Sequence, residues 1–567
     1  MVGHYFRQRQ KNIFSAAFII MIMVSISRIL GLLRNRVLAH FFSAEEISLY
    51  LAAFRLPEVV FDVLVFGAIS AAFIPTFTAY FTKKKEDEAW QVASITLNSA
   101  LLLFFFFSSL IFLFANPLYR LTAAGFRPDQ INKIVFLSRI LILTQIFFLL
   151  SYFLTGILES LQRFLVPAIA PIFYNLSIIL GTIIFSNKFG LLGPTIGAVT
   201  GALVHFLIQL PLSFSLGLKI KLGLNFSHPG FKEIVKLAFP RIIELSVLEL
   251  SKNIELFLAS LISPAAYTWL TFASSLQLLP VALFGTSLAK ATLPTLASLA
   301  TKKDIEKFKK TFLSSFNQIL FLTIPASSFL AVLRIPAVRL VFGAARFTWE
   351  STVQTGQTLS VFCLSIFSQA LILLLARAFY ALHKTKTAVK ISVATISFNI
   401  SLAFILILVL HLPIWGLALS FSVSSLIHLL ILFFLLDREV GGFRKDKIFL
   451  PFAKVSFSAF LSSLSMFVLL KIFDRSAWDK RLSFLGKLGL RLPTTFEGFV
   501  LDTRYTLNLI VLTLCVAFVG VVSYLFLTWI LKVDEFVGFK KFKLNEKNSN
   551  KLIRNRPFPE KEDLTEE

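Results

Sequence analysis

The 567 residues predict an all-α polytopic membrane protein of about fourteen transmembrane helices, arranged as two pseudo-symmetric six-helix lobes and a C-terminal helical pair. Three observations lead there. Hydrophobic residues make up 56% of the chain and include 65 phenylalanines, a share above the roughly 45–50% of soluble domains. Apolar stretches long enough to cross a hydrocarbon core of about 30 Å recur fourteen times. Basic connections alternate with connections poor in bases, as an even succession of crossings requires.

The spans of the first lobe centre on 12–42, 48–82, 90–115, 133–160, 166–186 and 190–217. Those of the second centre on 233–262, 266–299, 308–333, 352–381, 387–411 and 413–436, and the pair on 449–473 and 506–531. The domain limits that follow are 1–220, 221–440 and 441–535, with a charged cytoplasmic tail at 536–567. No small-residue cleavage site follows the first apolar run, which therefore reads as a retained helix. "KKKEDE" at 83–88, "KIK" at 219–221, "KKDIEKFKK" at 302–310, "HKTKTAVK" at 383–390 and "FRKDK" at 443–447 fill even-numbered connections. With an odd connection such as "SAEEIS" at 43–48 outside, both termini are expected in the cytoplasm. The net charge of +25 then points to anionic phospholipids and not to nucleic acid. Cys363 and Cys515 lie in apolar runs without a metal-ligand spacing, so no disulfide or metal site is expected.

The lobes are inferred from repetition. "FGAISAAFIPT" at 66–76 recurs as "FGTSLAKATLPT" at 284–295, "TAAGF" at 122–126 as "GAARF" at 343–347, and "ESLQR" at 159–163 as "YALHK" at 380–384. One nearly constant offset with an even number of crossings per unit gives two halves of the same orientation and a cavity between them.

Charges at membrane depth mark that cavity, because burying one there costs at least about 2.5–3.5 kcal/mol. Arg28 lies roughly 22 Å into the first helix, too deep to snorkel easily to the surface. Arg34 lies about 120° round the helix from it, with Gly31 between them as a bend, while Arg36 reads as an interfacial anchor. Two guanidinium forks suit a diphosphate or carboxylate ligand. In the second helix Arg55, Glu58 and Asp62 share a face; Arg55 pairs with Glu58 and Asp62 is left less compensated. In the seventh, Arg241, Glu244, Lys252 and Glu255 fall within roughly 80°, with Glu249 read as turned away.

The stretch "SRILGLLRNRVLAHFF…YLAAFRLPEVVFDVLVFGAISAAFIPTF", with the later "FGTSLAKATLPTLAS" and "ARAFYALHKTKTAVKIS", resembles the MurJ/MviN family of lipid II flippases over residues 14–436. The resemblance implies a MOP-superfamily fold in the bacterial cytoplasmic membrane, with the final helical pair forming a groove for a lipid tail. It implies transport, not catalysis, of the undecaprenyl-diphosphate-linked peptidoglycan precursor to the outer leaflet, with cell-wall synthesis proteins as further partners. It also implies a substrate-binding set of Ser27, Arg28, Arg34 and Asn35, to which the charge pattern adds Arg55, Asp62 and Lys252. Relatives have an aspartate at Asn35, an acidic residue at Ser48, arginines at Phe61 and Ser275, and a glutamate at Phe66. Lys252, Arg241 and Lys290 are alternative sources of positive charge.

Alternating access is expected, with bends at Gly31, Pro57, Gly67, Pro280 and Gly285. No phosphate-cradling glycine loop is present and no cofactor is expected, so membrane potential or a monovalent cation is the expected driving force. Glu244, Glu255 and Asn399 are the candidates for an ion or charge relay. The alternatives are an exporter of another lipid-linked oligosaccharide or amphiphile, a membrane scaffold, and an enzyme on lipid-linked sugars. The scattered histidines argue against the last. Reporter fusions after Lys85 and Lys309 are expected to report cytoplasm and one after Glu46 the exterior; a cytoplasmic signal at Glu46 refutes this topology.

Overall fold

The computed structural model describes residues 13–479 and 500–535. Among them fourteen long helical rods follow one another. The first six are α1 (Ile13–Phe41), α2 (44–82), α3 (Glu86–Thr122), α4 (Pro128–Ser160), α5 (Leu165–Phe189) and α6 (Leu192–Ser215). The next six are α7 (Pro229–Ile262), α8 (Ala266–Thr301), α9 (Ile305–Val332), α10 (Trp349–Cys363 with Ile366–Ala381), α11 (Thr385–Val409) and α12 (Trp415–Glu439). Last come α13 (Asp446–Phe473) and α14 (Thr506–Ile530). Ten rods are long and apolar enough to cross a membrane, eleven with α10, whose two parts meet at 45°. The other three, α1, α2 and α7, carry the ionisable side chains singled out above. The expected tail at 536–567 and residues 480–499 of the connection between the last two expected spans lie outside the described residues.

Local signals place the helix starts. Ser43 caps α2 reciprocally with Glu46: the Ser43 amide donates to Glu46 Oε2 at 2.9 Å, and the Glu46 amide donates to Ser43 Oγ at 3.3 Å. Asp304 accepts from the Lys307 amide to open α9, and Thr348 accepts from the Ser351 amide to open α10. Laterally the molecule is apolar outside: on α3, Phe105, Phe106 and Leu113 are exposed while Ser94, Ser99 and Ser108 are buried. Lipid is as apolar as a protein core, so small polar residues are free to take the helix-facing side, where they permit close approach.

Close approach is most developed between α5 and α6. A Cβ on Gly197 would lie 2.7 Å from the Ser177 carbonyl oxygen and 2.8 Å from Ile178 Cα, so only glycine lets these backbones meet at that depth. The contact fixes α5, which carries Asn175 toward α1.

The expected bends take a different form. α1 runs unbroken through Gly31, and α2 is unbroken α-helix through Pro57. Irregularity is instead concentrated in three π-helical stretches among the described residues: Asp62–Phe73 in α2, which contains Gly67, Val281–Thr286 in α8, which follows Pro280, and Ile405–Val409 at the end of α11. The first two begin 219 residues apart, close to the repeat offset seen in the sequence. A π-turn absorbs an extra residue without ending the helix, so it replaces a kink. Gly285 serves packing: a Cβ there would come within 2.7 Å of Ala370 Cα on α10.

The first and second halves meet along α7, which packs on the π-helical part of α2, and at the end bearing the α1–α2, α3–α4 and α7–α8 connections, where hydrogen bonds join them. Ser48 Oγ and Thr268 Oγ1 share a buried hydrogen bond of 2.8 Å between α2 and α8, and the Gly125 amide donates to Ser260 Oγ at 3.1 Å. Arg36 Nη1 donates to the Leu340 carbonyl at 2.6 Å, tying α1 to the short helix Arg334–Phe342. That short helix is held down by Phe342 stacked on Phe272 of α8 at 4.3 Å. α13 and α14 pack beside α9, where the Tyr524 hydroxyl donates to the Phe321 carbonyl at 2.8 Å.

Gly197→Leu is expected to lower folded yield and thermal stability in detergent through an overpacking cost of about 1–3 kcal/mol or more. Gly223→Leu, at an exposed position where an added Cβ meets nothing within 4 Å, is the control and is expected to leave both unchanged.

Candidate functional site

A cavity of about 550 Å³ lies between α1, α4, α5, α6 and α8, and reaches Phe164 in the α4–α5 connection. From α1 it receives Ser27, Arg28, Gly31, Arg34 and Asn35, which follow one side of the helix. α4 contributes Tyr152, Thr155 and Glu159, α5 contributes Tyr174 and Asn175, α6 His205, and α8 Ser275.

The two arginines stand differently in it. Arg28 is exposed and its guanidinium has no protein partner among the described residues. Arg34 is half-buried and held by amides: Nη1 donates to Asn175 Oδ1 at 3.2 Å, while Nη2 and Nε donate to Asn35 Oδ1 at 3.1 and 3.3 Å. Asn175 Nδ2 in turn donates to the Ser27 carbonyl and hydroxyl oxygens, both at 3.4 Å, and to the Pro171 carbonyl at 3.1 Å. Neutral amides orient the Arg34 fork and leave its charge uncancelled, where a carboxylate would neutralise it. The one carboxylate on the lining is Glu159, and the Lys290 ammonium of α8 acts on it electrostatically.

The far wall is aromatic. Phe61 packs on Tyr152 at 5.4 Å and Phe148 at 5.9 Å, and Tyr152 stacks on His205 at 5.7 Å. His205 Nδ1 and Ser151 Oγ are 2.6 Å apart, and Gln209 Nε2 donates to Ser151 Oγ at 2.7 Å. A side chain at position 61 therefore supports this wall, and Ser275, which donates to its own helix at the Phe272 carbonyl, lies on the cavity lining.

Three residues expected at the substrate site are absent from the lining. Arg55, Asp62 and Lys252 belong to a seam between α2 and α7. Arg55 pairs with Glu58, as expected, while Lys252 Nζ lies 3.5 Å from Asp62 Oδ2 and also pairs with Glu249. Asp62 is thus compensated from another helix, and Glu249 is not turned away. It precedes Lys252 by three residues, only about 60° round the helix, and its side chain is 1% exposed. Arg241 is occupied by Glu244 at 2.6 Å. Glu244 and Glu255 are eleven residues apart, about 16 Å along α7, so they do not form one ion site. Asn399 is buried on α11, with an Oδ1 that has no hydrogen-bond partner among the described residues.

Asn175, Tyr152, Tyr174 and His205 were not singled out from the sequence. "PIFYNLSIIL" at 171–180 places a tyrosine and an asparagine inside an apolar span, and "VHFL" at 204–207 does the same for a histidine; a polar residue at membrane depth is the signal that was available.

Comparison with known proteins agrees with this architecture. The sequence model of the family described as lipid II flippase MurJ matches residues 37–488. A probable lipid II flippase MurJ of Buchnera aphidicola subsp. Acyrthosiphon pisum is 26% identical over 426 residues, covering 74% of this chain and 83% of the relative. One from Bdellovibrio bacteriovorus is 27% identical over 457 residues, covering 79% and 86%. The fold is similar to a solved lipid II flippase MurJ in an inward closed conformation, with a TM-score of 0.72 and 22% identity over 91% of this chain and 99% of that one. It is also similar to an inward-facing multidrug resistance MATE family transporter of the MOP superfamily, with a TM-score of 0.65 and 12% identity over 74% and 98%. With four-fifths of its length matched by the family model, this chain belongs to the lipid II flippase MurJ family.

Proposed function

We propose that this chain carries lipid II from the inner to the outer leaflet of the bacterial cytoplasmic membrane, with both termini in the cytoplasm. The observation that carries the reading is the cationic pair on α1: Arg28 without a protein partner among the described residues, and Arg34 oriented by neutral amides, in a cavity walled by aromatic rings. A diphosphate is a bidentate polyanion that such forks complement, and the rings offer stacking surfaces to sugars. The chemistry required is binding and release, not bond making.

The mechanism follows from where the molecule is joined. Besides the α2–α7 seam, hydrogen bonds link the halves at the end bearing the odd-numbered connections, while the cavity extends to the α4–α5 connection, which the charge pattern assigns to the cytoplasm. The headgroup enters there, the two arginines hold its diphosphate, and the lipid tail stays in the membrane beside α13 and α14. Breaking the links through Ser48, Gly125 and Arg36 then opens the opposite end. Basic connections on the cytoplasmic side hold anionic phospholipids. The net positive cavity favours the anionic substrate, so membrane potential acts on the loaded and empty states differently.

In cells depleted of their own lipid II flippase, Arg28→Ala and Arg34→Ala are each expected to abolish rescue at normal membrane abundance. Loss of charge-assisted hydrogen bonds of about 1.5–3 kcal/mol weakens binding roughly 10- to 100-fold, and Arg→Lys restores little because a point charge cannot replace a fork. Rescue by Arg28→Ala at the parental rate refutes the site assignment.

Asn35→Asp distinguishes orientation from charge. It keeps an acceptor for Arg34 but cancels one of the two cavity cations, so binding of a lipid-linked diphosphate by the purified protein is expected to fall several-fold and to become more sensitive to salt. Unchanged affinity means that the Arg34 charge does not contribute.

A further inference from the structure

The seam between α2 and α7 places none of its charges on the cavity lining and carries more negative than positive charge. It holds two cations, Arg55 and Lys252, against four carboxylates, Glu58, Asp62, Glu249 and Glu255. Glu58 pairs with Arg55, whose guanidinium also acts on Asp62, Glu249 and Glu255, so two cations are shared among four carboxylates. Lys252 reaches two of them, Asp62 at 3.5 Å and Glu249. At this depth, two unneutralised carboxylates in contact are far costlier than one carboxylate and one carboxylic acid.

The hydrogen bonding points the same way. Glu249 is 99% buried and its Oε2 has no donor among the described residues, although Oε1 is taken by Lys252. Asp62 and Glu249 both turn to the one Lys252 ammonium and act on each other electrostatically. Two carboxylates are both acceptors, so a hydrogen bond between them requires a proton on one. Arg55 also faces the pair but is already held by Glu58, and the other groups facing the pair among the described residues bring no further cation. Tyr267 of α8 faces Arg55, Glu249 and Glu255, Tyr152 of α4 faces Asp62, and Tyr119 of α3 faces Arg55. Asp62 is 20% and Lys252 35% exposed, so the seam is not sealed inside the protein.

We propose that Asp62 and Glu249 share one exchangeable proton, and that the α2–α7 seam is the site through which a proton gradient acts on the two halves. Loss of that proton takes the six groups from a net charge of −1 to −2. The added repulsion falls between a helix of the first half and a helix of the second, at the residue where the π-stretch of α2 begins. Phe61, next to Asp62, supports the aromatic wall of the cavity, so a shift of α2 at the seam moves that wall. The coupling consequence rests on the transport reading; the proton site itself does not.

Infrared difference spectroscopy of the full-length purified protein without substrate tests the site. The parent is expected to show a protonated-carboxyl C=O stretch at neutral pH that shifts in D2O and is lost as pH rises. Asp62→Asn and Glu249→Gln are each expected to remove it, and Glu244→Gln, at a carboxylate paired with Arg241 outside the seam, to retain it. Absence of the band from the folded parent, or its persistence in either folded variant, overturns the proposal. In proteoliposomes carrying lipid II, an imposed gradient of one pH unit is expected to bias parental flipping by up to about tenfold, and Glu249→Gln to reduce that bias to none. Flipping by the parent that ignores the gradient overturns the coupling. A band that behaves as expected in a protein that flips no lipid II under any gradient leaves the proton site standing and refutes the transport reading.

Discussion

Charge in a low-dielectric slab is the constraint on which the rest of this molecule depends. An ionisable side chain at membrane depth has to be paired or has to face a polar cavity, and the helices sort themselves by which solution each uses. The seam charges of α2 and α7 are paired, within one helix at Arg55 and Glu58 and between helices at Lys252 and Asp62. Those of α1 are not paired with carboxylates: Arg28 stands without a protein partner among the described residues, and Arg34 binds two neutral amides. A paired charge becomes structure, and one without a carboxylate partner is left to face the cavity.

The cavity's departures from the family pattern follow from the same rule. Against that pattern it lacks cations at Phe61 and Ser275, but it also lacks the acidic residues expected at Asn35 and Ser48. Ser48 and Phe61 have structural uses in place of electrostatic ones. Ser48 joins α2 to α8 through Thr268, and Phe61 joins the aromatic set around Tyr152.

Movement requires joints that bend without exposing backbone, and the π-stretches of α2 and α8 meet that need. A kink at a proline leaves a carbonyl unsatisfied in hydrocarbon, whereas a π-turn keeps its hydrogen bonds while altering the helix register. Their near-equal placement in the two halves agrees with the repeat in the sequence. The first begins at Asp62, where seam and cavity wall adjoin, so electrostatics and geometry meet at one residue.

Composition and periodicity alone determined that the chain is a multi-pass helical membrane protein, where its spans lie and which residues sit at costly depth, because hydrophobic length and charge burial are local, one-dimensional properties. The repeat offset and the family motifs were legible for the same reason. Helical angles also carried Arg55 to Glu58 correctly, since that contact is within one helix. What only tertiary structure decided was partnership between helices: that Lys252 answers Asp62, that Asn175 orients Arg34, and that Arg28 and Arg34 face a cavity from which Lys252 is absent. A lysine within reach of several carboxylates on a helical wheel has no preferred partner until a second helix supplies one, and that choice depends on contacts more than a hundred residues apart in the chain.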